Sequence, residues 1–200
     1  MKRGLMIALL VLAIIAVACA PENPITFEDG YKELIALDSK YGGDFKNEIL
    51  KKGGKMVPME SINPFVADVN ALKEKYSAMP VTNDTLNLIN LTDARLEMLE
   101  AERYYQLFEN VGPAGLVSDT FRCSEIPAIT KATSYMSASM NHFYAFTVLV
   151  DRMLADYKDI RPILGVDSER MNFYRSDLEY LSDQIKSNKI SVKTYCGVAI

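Results

Sequence analysis

Residues 125–158 read EIPAITKATSYMSASMNHFYAFTVLVDRMLADYK, and this stretch decides the fold. Apolar residues recur in it every three or four positions, which is the period of one face of an α-helix. That face comprises Ile129, Ala132, Met136, Met140, Phe143, Thr147, Val150, Leu154 and Tyr157. A second apolar face beside it consists of Ala138, Phe146, Leu149 and Met153. A helix that is apolar on most sides is usually buried, so the pattern predicts one long helix at the centre of a bundle.

Other parts of the chain repeat the helical period. Three segments show it well, namely 64–79, 84–110 and 168–187. We expect Asn63 to cap the first of these helices and Asp167 to cap the last, because both side chains accept hydrogen bonds from exposed backbone amides. A weaker helix is predicted at 27–41 and a short one at 44–52. Helices of these lengths with short connections predict an all-α fold, a helical bundle of four to five helices over residues 27–200.

The C-terminal residues 190–200 follow a different pattern. Apolar Ile190, Val192 and Val198 alternate with polar or small residues, which gives a period of two. This period is typical of extended chain. We therefore predict an extended C-terminal tail, either a short strand or a strip packed on the bundle.

The first eighteen residues do not resemble domain sequence. Lys2 and Arg3 precede an uncharged apolar run from Leu5 to Ala18. That run is shorter than the roughly 20 residues that a membrane-spanning helix needs. A basic start, a short apolar run and small residues at its end are typical of a secretory signal. We expect residues 1–18 to be a signal peptide; a retained anchor or a buried helix is the alternative.

The end of this leader carries a more specific pattern. Residues 16–19, Ala-Val-Ala-Cys, resemble the lipobox of bacterial or archaeal lipoproteins, although Ala16 stands where leucine is commonest. The resemblance implies lipid attachment at Cys19, a lipid-anchor tether over 19–26, and a location on the extracytoplasmic face of the cell membrane. Several acyl chains are needed for stable anchoring, and lipoprotein maturation supplies them. Cleavage after Ala20 is the alternative, but it would leave Pro21 at the new N-terminus.

The three cysteines fit this interpretation. They are Cys19, Cys123 and Cys196, and an odd count in an exported protein leaves one thiol over. If Cys19 carries lipid, the other two form a pair in an oxidising compartment, where disulfides persist. We predict a Cys123–Cys196 disulfide; two buried free thiols are the alternative.

The charge balance excludes one class of partner. Removing residues 1–18 takes away two of the 22 basic residues and leaves all 26 acidic ones. Nucleic-acid binding needs a basic surface. We therefore expect no nucleic-acid partner.

His142 is the chain's one histidine, and Asn141 and Tyr144 lie close to it in sequence. Bundles hold metals and haem between their helices, so these residues are possible ligand-binding residues. The alternative is a neutral core histidine with one ring nitrogen hydrogen-bonded. The chain has no Cys-x-x-Cys-His for covalent haem and no Glu-x-x-His for a di-iron site. We expect neither a cofactor nor a metal.

Arg103 is a further possible ligand-binding residue. It continues an apolar line along the 84–110 helix, so its stem is expected to be partly buried. The planar guanidinium could clamp a ligand carboxylate. A local ion pair with Glu100 or Glu102, or a side chain whose charged end reaches water, is the alternative.

Two tripeptides fit the N-glycosylation rule. They begin at Asn83 and Asn90, in Asn-Asp-Thr and Asn-Leu-Thr. Both asparagines are possible acceptors, depending on the host.

Several catalytic motifs are missing from the sequence. It has no glycine-rich phosphate loop, no Gly-x-Ser-x-Gly and no zinc-type spacing of Cys and His. We therefore expect a membrane-tethered extracytoplasmic lipoprotein whose helical bundle binds an unknown protein, an envelope component or a small ligand without covalent catalysis. The alternative is a small-ligand, haem or enzymatic site between helices, centred on His142.

Overall fold

The computed structural model describes residues 24–45, 47–48, 50, 54–112, 116–117 and 121–200. The expected signal peptide, residues 1–18, and Cys19 lie outside the described residues. Within these ranges the chain forms six helices and no strand, so the all-α prediction is confirmed. No helix in the described ranges has the length and hydrophobicity required to span a bilayer.

The six helices differ widely in length. They are α1 (Phe27–Lys40), α2 (Met59–Ser77), α3 (Asn83–Val111), α4 (Ile126–Asp156), α5 (Arg161–Leu164) and α6 (Ser168–Cys196). Single 3-10 turns at Cys123–Glu125 and Lys158–Ile160 precede α4 and α5. The long helices α2, α3, α4 and α6 form the body of the bundle.

The centre of the bundle is shared by two helices. α3 and α4 make the most extensive contact, α1 and α2 pack on α3, and α6 packs on α4. The predicted apolar faces of α4 are buried, including Met136, Phe143, Phe146 and Val150. Each fully buried side chain of this kind contributes about 1.5–3 kcal/mol. The prediction of a central helix at 125–158 therefore holds, but α3 lies beside α4 at the centre.

Helix ends follow local chemistry in most places. The Asp167 side chain accepts from the Arg170 amide at 2.9 Å, so the predicted cap of α6 is confirmed. Asn63 does not cap α2, because that helix begins earlier, at Met59, and Pro64 lies inside it. The buried side chain of Ile62 explains the extra turn: its packing outweighs the one hydrogen bond that Pro64 cannot donate.

The helix α6 includes residues 190–196, so the prediction of an extended tail over 190–200 was wrong for that part of the chain. α6 continues to Cys196 and ends at Gly197, whose φ of 70° lies in the left-handed region that favours glycine. Asn188 and Val192 continue the buried stripe of Leu181 and Ile185, and this helical spacing outweighs the local alternation. Ile190 points outward and is 64% exposed.

The helix predicted at 44–52 does not form in the described residues of that range. Phe45 and Asn47 lie in turns, and Glu48 forms an isolated bridge with Lys55. The side chain of Glu48 instead binds a residue of α3, as described below. This stretch belongs to the α1–α2 connection, residues 41–58.

The Cys123–Cys196 disulfide is present, as predicted. It joins the turn before α4 to the last residue of α6. The bond therefore holds the two ends of this antiparallel helix pair together.

Replacing both cysteines by serine is expected to lower the free energy of unfolding by about 4 kcal/mol, because the bridge closes a long loop in the unfolded chain. The sequence separation of the two cysteines is 73 residues. Urea unfolding of the oxidised protein and of the double serine variant measures the difference, and reduced wild-type protein should match the variant. A loss below about 1 kcal/mol would contradict this estimate of the bond's contribution.

Candidate functional site

A buried ion cluster surrounds Arg95 of α3. Its guanidinium is completely buried, and its Nε donates to Asp38 of α1 at 2.8 Å. Its Nη2 donates to Glu48 of the α1–α2 connection at 2.9 Å, and its Nη1 donates to the other Glu48 oxygen. Nη1 also lies 3.5 Å from Oε1 of Glu102, which is about two helical turns further along α3. All three carboxylates are buried as well, so the cluster joins α1, α3 and the connection without solvent access.

The same carboxylates bind the backbone of the α1–α2 connection. Each accepts one amide hydrogen bond: Phe45 N to Asp38 at 2.8 Å, Asp44 N to Glu48 at 2.7 Å, and Val57 N to Glu102 at 2.7 Å. A fourth carboxylate, Asp177 of α6, accepts from the Leu50 amide at 2.9 Å. Buried backbone amides need partners, and here side chains supply them in place of helix or sheet.

Aromatic rings and a glycine complete the surroundings of Arg95. The guanidinium carbon lies 5.0 Å from the ring centre of Phe65 and 5.8 Å from that of Phe45, within the range of cation–π attraction. A Cβ at Gly43 would lie 2.8 Å from Arg95 Nη2 and 2.9 Å from Glu48 Oε1. Position 43 therefore has no room for a side chain unless the ion pair moves.

The cluster holds more acid than base. Burial raises the pKa of Glu102 well above its usual value, and the neighbouring Glu48 carboxylate raises it further. Burial also disfavours ionised Glu48, but the charge of Arg95 and a hydrogen bond with Glu102 outweigh it and lower the pKa of Glu48. Burial raises the pKa of Asp38 despite its contact with Arg95. Glu102 is therefore the member that holds its proton most tightly, and it shares a hydrogen bond with ionised Glu48.

Arg95 was not among the residues predicted to be functional, and Glu102 was expected only as a partner of Arg103. A signal was present, however. Arg95 and Glu102 are seven residues apart and share the helical stripe of buried Leu88 and Met98. Charged residues within an apolar stripe are rarely buried unless they are paired.

His142 lies on a partly exposed face between α3 and α4. Its Nδ1 lies 2.8 Å from Oε2 of Glu97, and its ring stacks on Tyr104 with ring centres 5.6 Å apart. Its side chain is 36% exposed, so it lies at the edge of the core with one ring nitrogen hydrogen-bonded. A carboxylate on one ring nitrogen fixes the orientation of the imidazole. This contact links α3 to α4 near the middle of both helices.

Asn141 and Tyr144 do not join His142. They line a groove of about 780 Å³ between α4 and α6. The groove is formed by Met140, Asn141, Tyr144, Leu178, Glu179, Ser182, Asp183 and Lys186. Arg103 belongs to neither place: it pairs with Glu100 at 3.2 Å, as its alternative interpretation expected.

The two possible glycosylation sites lie on α3. Asn83 is its exposed first residue, and Asn90 is partly buried. The threonines of both tripeptides, Thr85 and Thr92, are buried. Thr85 forms a capping box with Thr82, and glycosylation at either asparagine stays a prediction.

Across the residues that the structure describes, no group of three or more His, Cys, Asp or Glu side chains has an arrangement suited to a metal ion. Comparisons of the chain with protein-family models, with curated proteins and with solved structures find no match.

Arg95→Met is expected to lower the free energy of unfolding at pH 7 by about 3–5 kcal/mol, because it leaves three buried carboxylates without their guanidinium. Urea unfolding measures this loss. Arg103→Met is the matched control on the same helix, and its partly exposed pair with Glu100 should contribute less than about 1 kcal/mol. Equal losses in the two variants would contradict a special role for Arg95.

Proposed function

We propose that this chain is a membrane-tethered extracytoplasmic binding protein, and that the α4–α6 groove binds an α-helix of a partner protein. One observation carries the proposal: the groove presents apolar side chains that the fold leaves accessible. Tyr144 on its rim is 61% exposed, and Met140 and Leu178 are only partly buried. Accessible aromatic and apolar groups in a groove are common sites of partner binding.

The shape of the groove suits a helix. α4 and α6 run antiparallel, since Phe143 contacts Tyr174 at one level and Cys123 is bonded to Cys196 at the end. The lining residues from Leu178 to Lys186 cover about two helical turns, roughly 12 Å of groove. An amphipathic helix places apolar anchors at intervals of three and four residues over such a length.

The lining also suggests the chemistry of the partner helix. Met140 is a flexible apolar side chain that adapts to different anchors. Tyr144 offers a large apolar ring with a polar end. Glu179 and Asp183 are exposed on the α6 side, and Asp183 lies 3.8 Å from Lys186. The acidic excess on this rim favours a partner helix that carries a basic residue beside its apolar face.

Two sequence features support the tethered location. The resemblance of residues 16–19 to a lipobox supports lipid attachment at Cys19, and the eight residues 19–26 can extend over at most about 28 Å. A bound partner would therefore be held close to the membrane surface. The disulfide agrees with export, because such bonds persist in oxidising compartments.

The alternative, an enzymatic or haem site centred on His142, has less support. His142 faces Glu97 and Tyr104 of α3, whereas Asn141 and Tyr144 face the groove toward α6. The side chains that would have to assemble around one ligand therefore point in different directions.

Mass spectrometry of the protein purified from its native membranes tests the anchor. We expect a mature chain that begins at Cys19 and carries diacylglycerol. The Cys19→Ser variant should accumulate as an unlipidated precursor. A native chain that retains Met1 and carries no lipid would contradict the tether.

Photo-crosslinking tests the groove. Benzoyl-phenylalanine in place of exposed Asp183 is expected to form one discrete adduct with a helical segment of a partner in intact cells. Tyr144→Ala in the same chain should lower the adduct yield about tenfold, because it removes the exposed anchor.

Tyr195→Ala is the matched control, since Tyr195 is also an exposed tyrosine, 74% exposed, but lies near the end of α6 outside the groove. It should leave the yield unchanged. An adduct that forms equally well in the presence of Tyr144→Ala would refute groove binding.

A further inference from the structure

The turn between α2 and α3 carries the most exposed of the large apolar side chains that the structure describes. Val81 is 81% exposed, and Leu86, in the first turn of α3, is 43% exposed. Ala78 and Pro80 are exposed as well, and residues 78–82 contain no charged side chain. Apolar groups that a fold leaves together in water mark a contact surface. Residues 78–82 and Leu86 are called the apolar tip below.

The backbone of the apolar tip is largely hydrogen-bonded within the protein. Met79 N donates to Tyr76 O at 3.1 Å, and Thr82 N donates to the Thr85 hydroxyl at 2.8 Å. Pro80 has no amide, and its carbonyl oxygen accepts from the Thr85 hydroxyl at 3.1 Å. Moving an unpaired amide or carbonyl from water into lipid is costly. The apolar tip can therefore enter the edge of a lipid layer without leaving these groups unpaired.

The apolar tip lies at the end of the bundle where the N-terminal chain enters. The Tyr76 hydroxyl donates at 3.0 Å to the carbonyl of Gly30, which is in the first turn of α1. A Cβ on Gly30 would lie 2.5 Å from the Leu88 side chain, so α1 and α3 touch at this level. Leu88 follows Thr82 by roughly 9 Å along α3. Since α1 begins at Phe27, the start of the folded domain and the apolar tip are at the same end.

The disulfide lies at the other end of the bundle. α3 and α4 are antiparallel, since Glu97 contacts His142 whereas Ala101, further along α3, accepts from the earlier Ser139 of α4. α4 therefore begins at the end that is remote from the apolar tip. The Cys123–Cys196 bond joins that end of α4 to the last residue of α6.

The short chain before the domain limits the distance between the apolar tip and a membrane. Residues 19–26 extend over at most about 28 Å. A lipid on Cys19 and a retained apolar run at 5–18 are equivalent in this respect, because each ends before residue 20. A short tether that enters beside exposed apolar side chains makes the anchoring lipid layer the surface that those side chains meet.

We propose that the apolar tip inserts into the surface of the membrane to which the chain is anchored. This inference rests on the tether proposed above. Val81 and Leu86 would enter the boundary between headgroups and acyl chains, as the apolar side of an interfacial segment does. Because residues 78–82 are uncharged, the contact does not require anionic lipid. It gives the domain a second attachment and directs the Cys123–Cys196 end away from the membrane.

Quenching of a fluorescent label in vesicles tests the contact. In the mature chain Cys19 carries lipid and the other two cysteines are bonded, so an introduced cysteine is the thiol that reacts with the label. Labelled full-length Val81→Cys in phosphatidylcholine vesicles is expected to lose about half of its fluorescence when the acyl chains are brominated. Ile190→Cys is the matched control, since Ile190 is also apolar and 64% exposed but lies toward the disulfide end. It should lose less than about a tenth.

A second pair of variants tests whether Val81 drives the insertion. With the label at Leu86→Cys, Val81→Asp is expected to lower the quenching about threefold, because a carboxylate is costly to move out of water. The exposure of Val81 means that this change leaves the core intact. Ile190→Asp, the same change at the remote end, should leave the quenching unchanged.

Flotation of the protein with the vesicles separates this inference from the tether. If the protein does not float with them, the tether and the insertion both fail. Flotation with equal quenching at Val81→Cys and Ile190→Cys would overturn the insertion alone. A glycan on Asn83 of the native chain would overturn it too, because Asn83 is two residues from Val81 and a glycan would hold the turn in water.

Discussion

The guanidinium of Arg95 is buried together with the carboxylates of Asp38, Glu48 and Glu102. The energetic cost of burying each charged group is offset only because its partners are buried beside it. An isolated buried charge costs several kcal/mol, whereas here every Arg95 nitrogen meets a carboxylate. The carboxylates also accept hydrogen bonds from backbone amides of the α1–α2 connection. The position of that connection therefore depends on one ion cluster.

The connection in turn contacts helices outside the cluster. Phe45 packs against Phe146 of α4, and Leu50 reaches Asp177 of α6. Tyr174 of α6 contacts the same ring of Phe146 at 5.1 Å. One end of the α4–α6 pair is thus joined to the cluster, and the Cys123–Cys196 bond closes the other end. The groove lies between these two attachments, which hold α4 and α6 in a fixed position relative to each other.

Much of the fold was predictable because it depends on local periodicity. The stripe of α4, the cap at Asp167 and the disulfide all follow from spacing, from capping chemistry or from cysteine parity. Residues 190–196 were predicted as extended because their polarity alternates, but alternation over a few residues is compatible with a helix whose buried positions are Asn188 and Val192. The connection was not predictable at all, since its structure depends on carboxylates that are distant in sequence.

The candidate site, like the fold, was predictable only where it depends on local sequence. Asn141, His142 and Tyr144 are neighbours in sequence, but successive residues of a helix point about 100° apart. Asn141 and Tyr144, three apart, share the side toward α6, while His142 turns toward α3. Two of the partners of Arg95, Asp38 and Glu48, are distant in sequence, and no local pattern marks them as its neighbours. Only Glu102, on the same helical stripe, gave a local signal.

A double-mutant cycle of Arg95→Met with Glu48→Gln tests most directly whether the ion pairs of this cluster stabilise the fold. Free energies of unfolding of the wild type, both single variants and the double variant at pH 7 give the coupling between the two side chains. We predict a coupling of about 2–3 kcal/mol, because each charge is costly once its partner is gone. Additive effects, with a coupling below about 0.5 kcal/mol, would contradict the account.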